Sequence, residues 1–275
     1  MCGITGFIGR RVDLAKLKLI AVWNDERGKH SCGIYYDKKV FHGDGNEAKI
    51  TSFFTKHILP NKLENPGLVL AHSRFATMSA HEKINAHPMR LSMHEDRLLV
   101  NREAGTTVMI GAHNGKILNW FDMRDKYREE MPYSEFNTDT KVLLGSLYLN
   151  KENPGPILSK YRGAASLLFT YDQETLYAYR GAAGDKEERP LHFIEMPEGY
   201  YFSSMAEPLL AIRTKETQKV LIASPNILYT FTQKEGIVDK VLIEREKGMD
   251  EEEVKVYSAT KKKHSEVNYL GKNSR

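Results

Sequence analysis

The 275 residues include 41% hydrophobic and 28% charged side chains, and the net charge of +4 is too small to favour nucleic-acid binding. This composition fits a folded, soluble protein of one large domain or two smaller ones. No run approaches the ~20 apolar residues of a membrane span, and the start lacks the features of a signal peptide. Two cysteines, Cys2 and Cys32, are too few for a disulfide framework, so we expect a cytoplasmic protein with free thiols.

Apolar periodicity predicts the elements of the first half in chain order. Strands are predicted over 2–8, 33–41 and 67–77, and helices over 12–23 and 48–59, with Pro60 stopping the second helix. Residues 97–100 and 107–113 are predicted to form a strand pair, and helices follow over 119–128 and 138–149.

Hairpin signals dominate the second half. The predicted elements are a hairpin of 164–171 with 175–180, a hairpin of 191–195 with 200–203, a short helix over 206–213, and strands over 219–223 and 227–232. Because the chain lacks regular βαβα alternation, we predict an α+β fold with antiparallel sheets packed between helices. One domain is expected over 2–247, with a charged tail over 248–275 that its composition makes a candidate for disorder.

Cys2 becomes the first residue once Met1 is removed, and its small side chain favours that removal. It would then carry a thiol and a free α-amine on one residue. The amine, with a pKa of roughly 7.7–8.0, can act as general base for the thiol. On position alone a chance cysteine near the start is the simpler interpretation, so the assignment depends on the segments that follow.

Two of these segments are a basic loop and the end of a strand. Residues 27–34 (RGKHSCGI) join a predicted helix to a predicted strand and, taken alone, are typical of an ordinary loop. Arg74 follows a buried-looking strand, where a guanidinium is costly unless it is paired. Its fork suits a carboxylate, which is either that of a ligand or that of a structural aspartate.

Two more segments carry groups suited to an anion and to a cation. The side-chain amide of Asn114 and the backbone N–H of Gly115 are adjacent donors of the kind that a tetrahedral oxyanion needs. Asn-Gly is also a common hairpin turn. Asp139 stands at a predicted helix start, where it either caps the helix or receives a substrate ammonium.

Taken in order, these segments resemble the class II glutamine amidotransferases, which are glutaminase domains of the N-terminal nucleophile superfamily. The matching pieces are CGITGFIG at 2–9, RGKHSCGI at 27–34, AHSRFAT at 71–77, NAHP at 85–88, HNGKILN at 113–119 and TDTKVL at 138–143, with looser matches at 161–169 and 200–212. The resemblance covers roughly residues 2–235. It implies a four-layer αββα sandwich of antiparallel sheets flanked by helices.

The resemblance also implies a role for each matching residue. Cys2 looks like the nucleophile, with Asn114 and the N–H of Gly115 as the oxyanion hole. Arg74 looks like the clamp on the α-carboxylate of glutamine, and Asp139 like the acceptor of its α-ammonium. Supporting substrate contacts are implied for Gly28, Phe75 and Thr77. The family chemistry proceeds through a thioester and needs no metal or organic cofactor.

The chain departs from the family pattern in two motifs. Met78-Ser79 stands where the family often has His-Gly, and His30 replaces an acidic residue. After about residue 235 the remaining forty or so residues are mostly charged and too few for an ammonia-using domain. We therefore expect L-glutamine as substrate and an ammonia-accepting synthase subunit in trans, and the oligomeric state stays open.

Alternative functions stay open at this point. A second interpretation is an N-terminal-nucleophile amidohydrolase that acts on another amide, and a third is a non-catalytic regulatory homologue. The intact Cys2, Arg74, Asn114 and Asp139 speak against the third. The spacing of His72, His81, His87 and His113 fits no helical or zinc-ribbon ligand pattern, so no metal site is predicted.

Overall fold

The computed structural model describes residues 2–44, 48–59, 66–75, 83–102, 104–181 and 189–245. The strands in these segments are β1 (Gly3–Gly9), β2 (Ser31–Tyr36), β3 (Lys39–Asp44), β4 (Leu68–Arg74), β5 (Met89–His94), β6 (Arg97–Val100), β7 (Thr106–Ile117), β8 (Gly163–Thr170), β9 (Thr175–Gly181), β10 (His192–Met196), β11 (Gly199–Ser203), β12 (Val220–Ile222), β13 (Ile227–Thr232) and β14 (Gly236–Leu242). The helices are α1 (Leu14–Asp25), α2 (Ile50–Phe53, continued by a π-helical turn Phe54–Ile58), α3 (Trp120–Asp125), α4 (Asp139–Leu149), α5 (Gly155–Lys160) and α6 (Glu207–Ala211), and a 3₁₀ turn covers Lys83–Asn85.

The strands form two seven-stranded sheets, ordered β12-β10-β11-β1-β4-β2-β3 and β14-β13-β9-β8-β7-β5-β6. Neighbouring strands pair antiparallel in both sheets. One apolar layer lies between the sheets and contains Ile4, Leu70, Ala112 and Leu168. A second core lies between the first sheet and α1, α2 and α6, and a third between the second sheet and α3, α4 and α5. This arrangement is the predicted α+β, four-layer αββα sandwich.

Local chemistry sets the position of α1 beside the first strand. The Asp13 carboxylate caps the helix by accepting hydrogen bonds from the N–H groups of Ala15 (2.9 Å) and Lys16 (3.3 Å). Leu17 and Ile20 are fully buried against the first sheet. The helix therefore ends next to the start of β1, where the loop 27–30 begins. None of the helices in the described segments is long and apolar enough to span a membrane.

The structure corrects two predictions about strands. Residues 33–41 are not one strand: β2 and β3 form a hairpin that turns at Asp37 and Lys38, which have φ values of 48° and 61°. Residues 97–100 and 107–113 do not pair with each other, because β5 lies between β6 and β7 in the sheet. The sequence analysis also missed β5, β14 and α5.

Candidate active site

Cys2 lies where β1 begins, beside the end of β4. Gly3 pairs with Ser73, so Arg74 and Phe75 come directly after the residue opposite the start of β1. The Phe75 N–H donates to Cys2 Sγ over 3.3 Å, and Sγ lies 3.6 Å from the Phe75 carbonyl oxygen. The thiol is thus held by backbone groups where β1 begins and β4 ends, with partial access to solvent.

Asn114 reaches Cys2 from the facing sheet. Its Nδ2 donates to the carbonyl oxygen of Cys2 (3.2 Å) and to Ser204 Oγ (2.9 Å), while its Oδ1 lies 2.7 Å from His72 Nε2. The side chain of Asn114 is 4% exposed. Both amide protons therefore have acceptors, and one of these acceptors is the carbonyl oxygen of Cys2.

Gly115 follows inside β7, where Asn114 and Gly115 pair with Ser166 and Ala165 of β8. The two residues are therefore not a hairpin turn. Gly115 has a φ of +155°, and a Cβ added there would overlap the carbonyl oxygen of Ala164. The backbone at this position thus requires glycine. Gly115 is exposed to solvent and directly follows Asn114 on the strand.

Arg74 and Asp139 are the charged groups that the sequence analysis assigned to the two ends of a substrate. Arg74 is 8% exposed, and burial lowers its pKa while the Cys2 thiolate and Asp139 act to raise it. The Asp139 carboxylate accepts from the N–H groups of Ile117 (3.0 Å) and Thr140 (2.9 Å). Asp139 therefore links β7 to the first turn of α4, and its charge acts on Arg74.

The loop after α1 closes the site on a third side. Arg27 Nε donates to the carbonyl oxygen of Cys2 over 2.9 Å. Gly28 is buried against the backbone of Ser73 and Arg74, and a Cβ at Gly28 would overlap the Ser73 carbonyl. The His30 ring packs on Phe75 with centroids 4.6 Å apart. Phe75 is 41% exposed, and Thr77 lies outside the described residues, as do Met78 and Ser79.

Comparison with known proteins gives curated relatives that carry the same protein name. No protein-family model matches the chain. The glutamine–fructose-6-phosphate aminotransferase (isomerizing) of Zymomonas mobilis is 30% identical over 183 residues, which are 62% of this chain and 27% of that enzyme. The enzyme of the same name from Leifsonia xyli is 27% identical over 250 residues, 86% of this chain and 36% of its own length. The chain thus spans about a quarter to a third of these curated relatives.

Solved structures with the same fold come from the same class of proteins. A glutamine phosphoribosylpyrophosphate amidotransferase from B. subtilis, complexed with ADP and GMP, matches with a TM-score of 0.66 at 19% identity, over 88% of this chain and 49% of that one. A glutamine aminotransferase class-II domain protein from Silicibacter pomeroyi matches with a TM-score of 0.50 at 15% identity, over 88% of this chain and 99% of that one. The sequence similarity and the shared fold together support a class II glutamine amidotransferase domain.

The buried position of Cys2 acts on the acidity of its thiol. Burial raises the pKa of the Cys2 thiol above its ordinary value, although the Phe75 N–H and the charges of Arg74 and Arg189 oppose that shift. A thiol with a raised pKa needs a base to become a nucleophile near neutral pH.

Several residues around Cys2 and Asn114 were not predicted from the sequence as part of the site. Arg27, His72 and Ser204 contact Cys2 or Asn114, and the charge of Arg189 acts on Cys2 and His113. Arg27, His72 and Ser204 lie within the matching segments, where their polar side chains could have marked them as candidates. Arg189 lies outside every matching segment, so no sequence signal pointed to it. Within the described segments, no group of three or more His, Cys, Asp or Glu side chains is arranged to hold a metal ion.

Proposed function

We propose that the domain is a glutaminase in which Cys2 attacks the side-chain amide of free L-glutamine. Removal of Met1 frees the α-amine of Cys2, which takes the thiol proton. The thiolate adds to the amide carbon, the tetrahedral intermediate expels ammonia, and the resulting thioester is hydrolysed by water to glutamate and the free thiol. The proton held by the α-amine passes to the leaving nitrogen.

One observation carries this proposal: Cys2 is contacted at both its thiol and its carbonyl. The Phe75 N–H lies 3.3 Å from Cys2 Sγ, and Asn114 Nδ2 lies 3.2 Å from the Cys2 carbonyl oxygen. An anionic oxygen formed at the substrate is a better acceptor than a neutral carbonyl. As the thiolate adds, the Asn114 N–H can therefore exchange the Cys2 carbonyl for the oxyanion as its hydrogen-bond acceptor. The N–H of Gly115, on an exposed backbone, is the second donor.

Recognition of free glutamine rests on the two charged residues. The buried Arg74 guanidinium suits the α-carboxylate, because a fork of N–H donors binds a carboxylate bidentately. The Asp139 oxygens keep lone pairs beyond the two backbone bonds that they accept, so they can also receive the α-ammonium. Gly28, Phe75 and Thr77 are proposed as supporting contacts. A site that binds both charged ends of glutamine discriminates against simple amides, since these make neither charge-assisted contact.

The first experiment compares the two cysteines. We expect Cys2→Ala to abolish release of ammonia from glutamine, whereas Cys32→Ala keeps it, because Cys32 is buried in the core beneath the helices. Mass spectrometry of the active protein should show that Met1 has been removed. Activity in a protein that retains Met1, or in the Cys2→Ala variant, would refute the mechanism.

The second experiment separates free glutamine from other amides as substrate. Glutaramate lacks the α-ammonium of glutamine, and 4-aminobutanamide lacks the α-carboxylate. The wild type should prefer glutamine to both by about 100-fold or more in kcat/KM, because each analogue lacks one of the two charged groups that Arg74 and Asp139 would bind. Asp139→Asn should reduce the preference over glutaramate, and Arg74→Met the preference over 4-aminobutanamide. Equal use of all three amides by the wild type would favour an amidohydrolase of broader specificity.

We further propose that a synthase receives the ammonia, in the form of a partner subunit in trans. The support is that the curated relatives are named for transfer of an amino group from glutamine to fructose 6-phosphate. Glutamine labelled with ¹⁵N in the amide should give labelled product only when a partner that co-purifies with the protein is present. Transfer by the purified chain alone would remove the need for such a subunit.

A further inference from the structure

The Asn114 side chain makes hydrogen bonds that require its amide to point in a single direction. An amide has donors at one end and an acceptor at the other, and the two ends are nearly the same shape. The Cys2 carbonyl can only accept, so Nδ2 must face it at 3.2 Å. Rotation of the amide by 180° would oppose Oδ1 to that carbonyl and remove the donor from the nucleophile.

His72 supplies the partner at the acceptor end. Its Nε2 lies 2.7 Å from Asn114 Oδ1, and its ring is completely buried. Since Oδ1 cannot donate, this contact requires a proton on Nε2. His72 Nδ1 has no hydrogen-bond partner among the described residues, which fits a neutral imidazole with its one proton on Nε2. Burial and the charges of Arg74 and His113 lower the pKa of His72 to about 3, against smaller opposing effects of the Asn114 contact and of the nearby His113 backbone.

The surrounding residues fix the ring of His72. The His87 ring packs on it with centroids 4.4 Å apart, and His87 is itself 5% exposed. Next to His87, the carbonyl oxygen of Pro88 lies 2.8 Å from His42 Nε2. On β2 the residue opposite His72 is Gly33, which adds no side chain. Contacts therefore run continuously from β3 through the segment 87–88 to His72 and on to Asn114.

We propose that His72 is a positioning residue of the oxyanion hole, whose Nε2–H holds Asn114 Oδ1 and so directs the Asn114 N–H groups toward the nucleophile. This inference rests on the proposed glutaminase function, because it assigns a role in stabilising the oxyanion. His72 touches neither the thiol nor the substrate. It acts before the chemical step by selecting one orientation of the amide, so that no reorientation is needed when the oxyanion forms.

The decisive variants are a matched pair of amides. In His72→Gln the Nε2 of the new side chain extends about as far as the imidazole Nε2, so it can still donate to Asn114. In His72→Asn the amide is one methylene shorter and cannot reach. We expect His72→Asn to lower kcat for glutamine about 10- to 100-fold with little change in KM, below the 10²–10³-fold loss of a whole oxyanion donor. His72→Gln should recover most of the loss.

Ligand affinity separates positioning from general damage to the fold. Glutamate γ-semialdehyde can add the Cys2 thiol to its carbonyl and form a hemithioacetal whose oxygen occupies the oxyanion hole, whereas glutamate makes only the ground-state contacts. His72→Asn should therefore weaken binding of the semialdehyde about 10-fold or more and leave binding of glutamate unchanged. Equal losses for both ligands, or equal kcat values in the two variants, would overturn the inference.

A measurement on the wild type keeps the inference testable if both variants fail to fold. The ¹⁵N chemical shifts of the His72 ring near pH 7 should be those of a neutral imidazole protonated at Nε2. A ring protonated at Nδ1, or at both nitrogens, would overturn the assigned contact. If the wild type neither hydrolyses glutamine nor binds the semialdehyde, the proposed function fails, and the ¹⁵N shifts still decide whether His72 orients Asn114.

Discussion

Arg189 is a cation of the site that enters from outside the sequence motifs. Its carbonyl oxygen accepts a hydrogen bond from Ser166 Oγ, and Ser166 pairs with Asn114 across β7 and β8. The backbone of Arg189 is therefore tied to the strand beside Asn114. Its charge acts on Cys2, on Arg27 and on His113. A positive charge so near the thiol favours the thiolate over the neutral form.

Replacing Arg189 should therefore make the nucleophile harder to ionise. We expect Arg189→Gln to raise the pKa of the Cys2 thiol, since the variant loses one of the charges that oppose the effect of burial. The midpoint of the pH profile for alkylation by iodoacetamide should move to higher pH. Arg213→Gln, at an exposed position, is the control and should leave the midpoint where it is. An unmoved midpoint in Arg189→Gln would show that this charge does not act on the thiolate.

At the scale of elements, Asp25 at the end of α1 joins three of them around the site. Its carboxylate accepts from the N–H groups of Ile50 (2.7 Å) and Thr51 (3.0 Å), and so caps α2, whose own N-cap residue Lys49 makes no side-chain cap. The same carboxylate accepts from Ser73 Oγ on β4 (2.7 Å), next to Arg74. One buried carboxylate thus joins the end of α1, the start of α2 and the strand that carries Arg74.

Loss of this carboxylate should destabilise the fold. Asp25→Ala leaves several buried donors without an acceptor, each costing about 1–3 kcal/mol, so we expect the free energy of unfolding to fall by at least about 3 kcal/mol. Denaturant unfolding would measure the change. The control is Asp239→Ala on the exposed strand β14, where about 0.5 kcal/mol or less is expected. A loss in Asp25→Ala as small as that of the control would mean that water replaces the carboxylate as acceptor.

Elements with a regular pattern were predictable, and those held by distant contacts were not. The period of α1 and the turn chemistry of the β8–β9 and β10–β11 hairpins located them closely. In β5 a register irregularity between Leu91 and Ser92 interrupts the alternation that marks a strand, so its neighbours were paired wrongly. Most of β14 is exposed, and it carries no buried alternation. The cap of α2 comes from a residue on another helix, which no local pattern reveals.

The residues of the candidate site fall into the same two groups, those that were predictable from sequence motifs and those that were not. Cys2, Arg74, Asn114 and Asp139 stand in motifs whose order was readable, and the fold brings them to one end of the sandwich. The contacts that orient them come from elsewhere in the chain, such as Ser204, which accepts from both Asn114 Nδ2 and the N–H of Ile4. Contacts of this kind depend on the pairing of strands far apart in sequence. They were therefore not predictable from spacing.

On the scale of the whole molecule, imidazoles are buried around the site where the two sheets face each other. His72 and His113 are almost fully buried, and burial lowers their pKa values to about 3 and about 4. Burial also lowers the pKa of His87 well below its ordinary value, and the charges of His42 and Arg74 add to this effect. Asp139 acts on His113 in the opposite direction. The two sheets therefore pack around neutral rings that the unfolded chain would protonate in mild acid.

This burial should make the stability of the fold depend on pH in a defined direction. Below about pH 6.5 the unfolded chain binds protons at these histidines while the folded chain does not. The free energy of unfolding should then fall by about 1.4 kcal/mol per pH unit for each such histidine, until the pH approaches the folded-state values of about 3 and about 4. Denaturant unfolding at intervals from pH 7.5 to pH 4.5 would measure this slope. His72→Gln removes one titrating ring, so its slope should be shallower than that of the wild type by about one proton. A wild-type stability that does not change between pH 6.5 and pH 4.5 would mean that the folded protein also protonates these rings, and that the space between the sheets admits the charge.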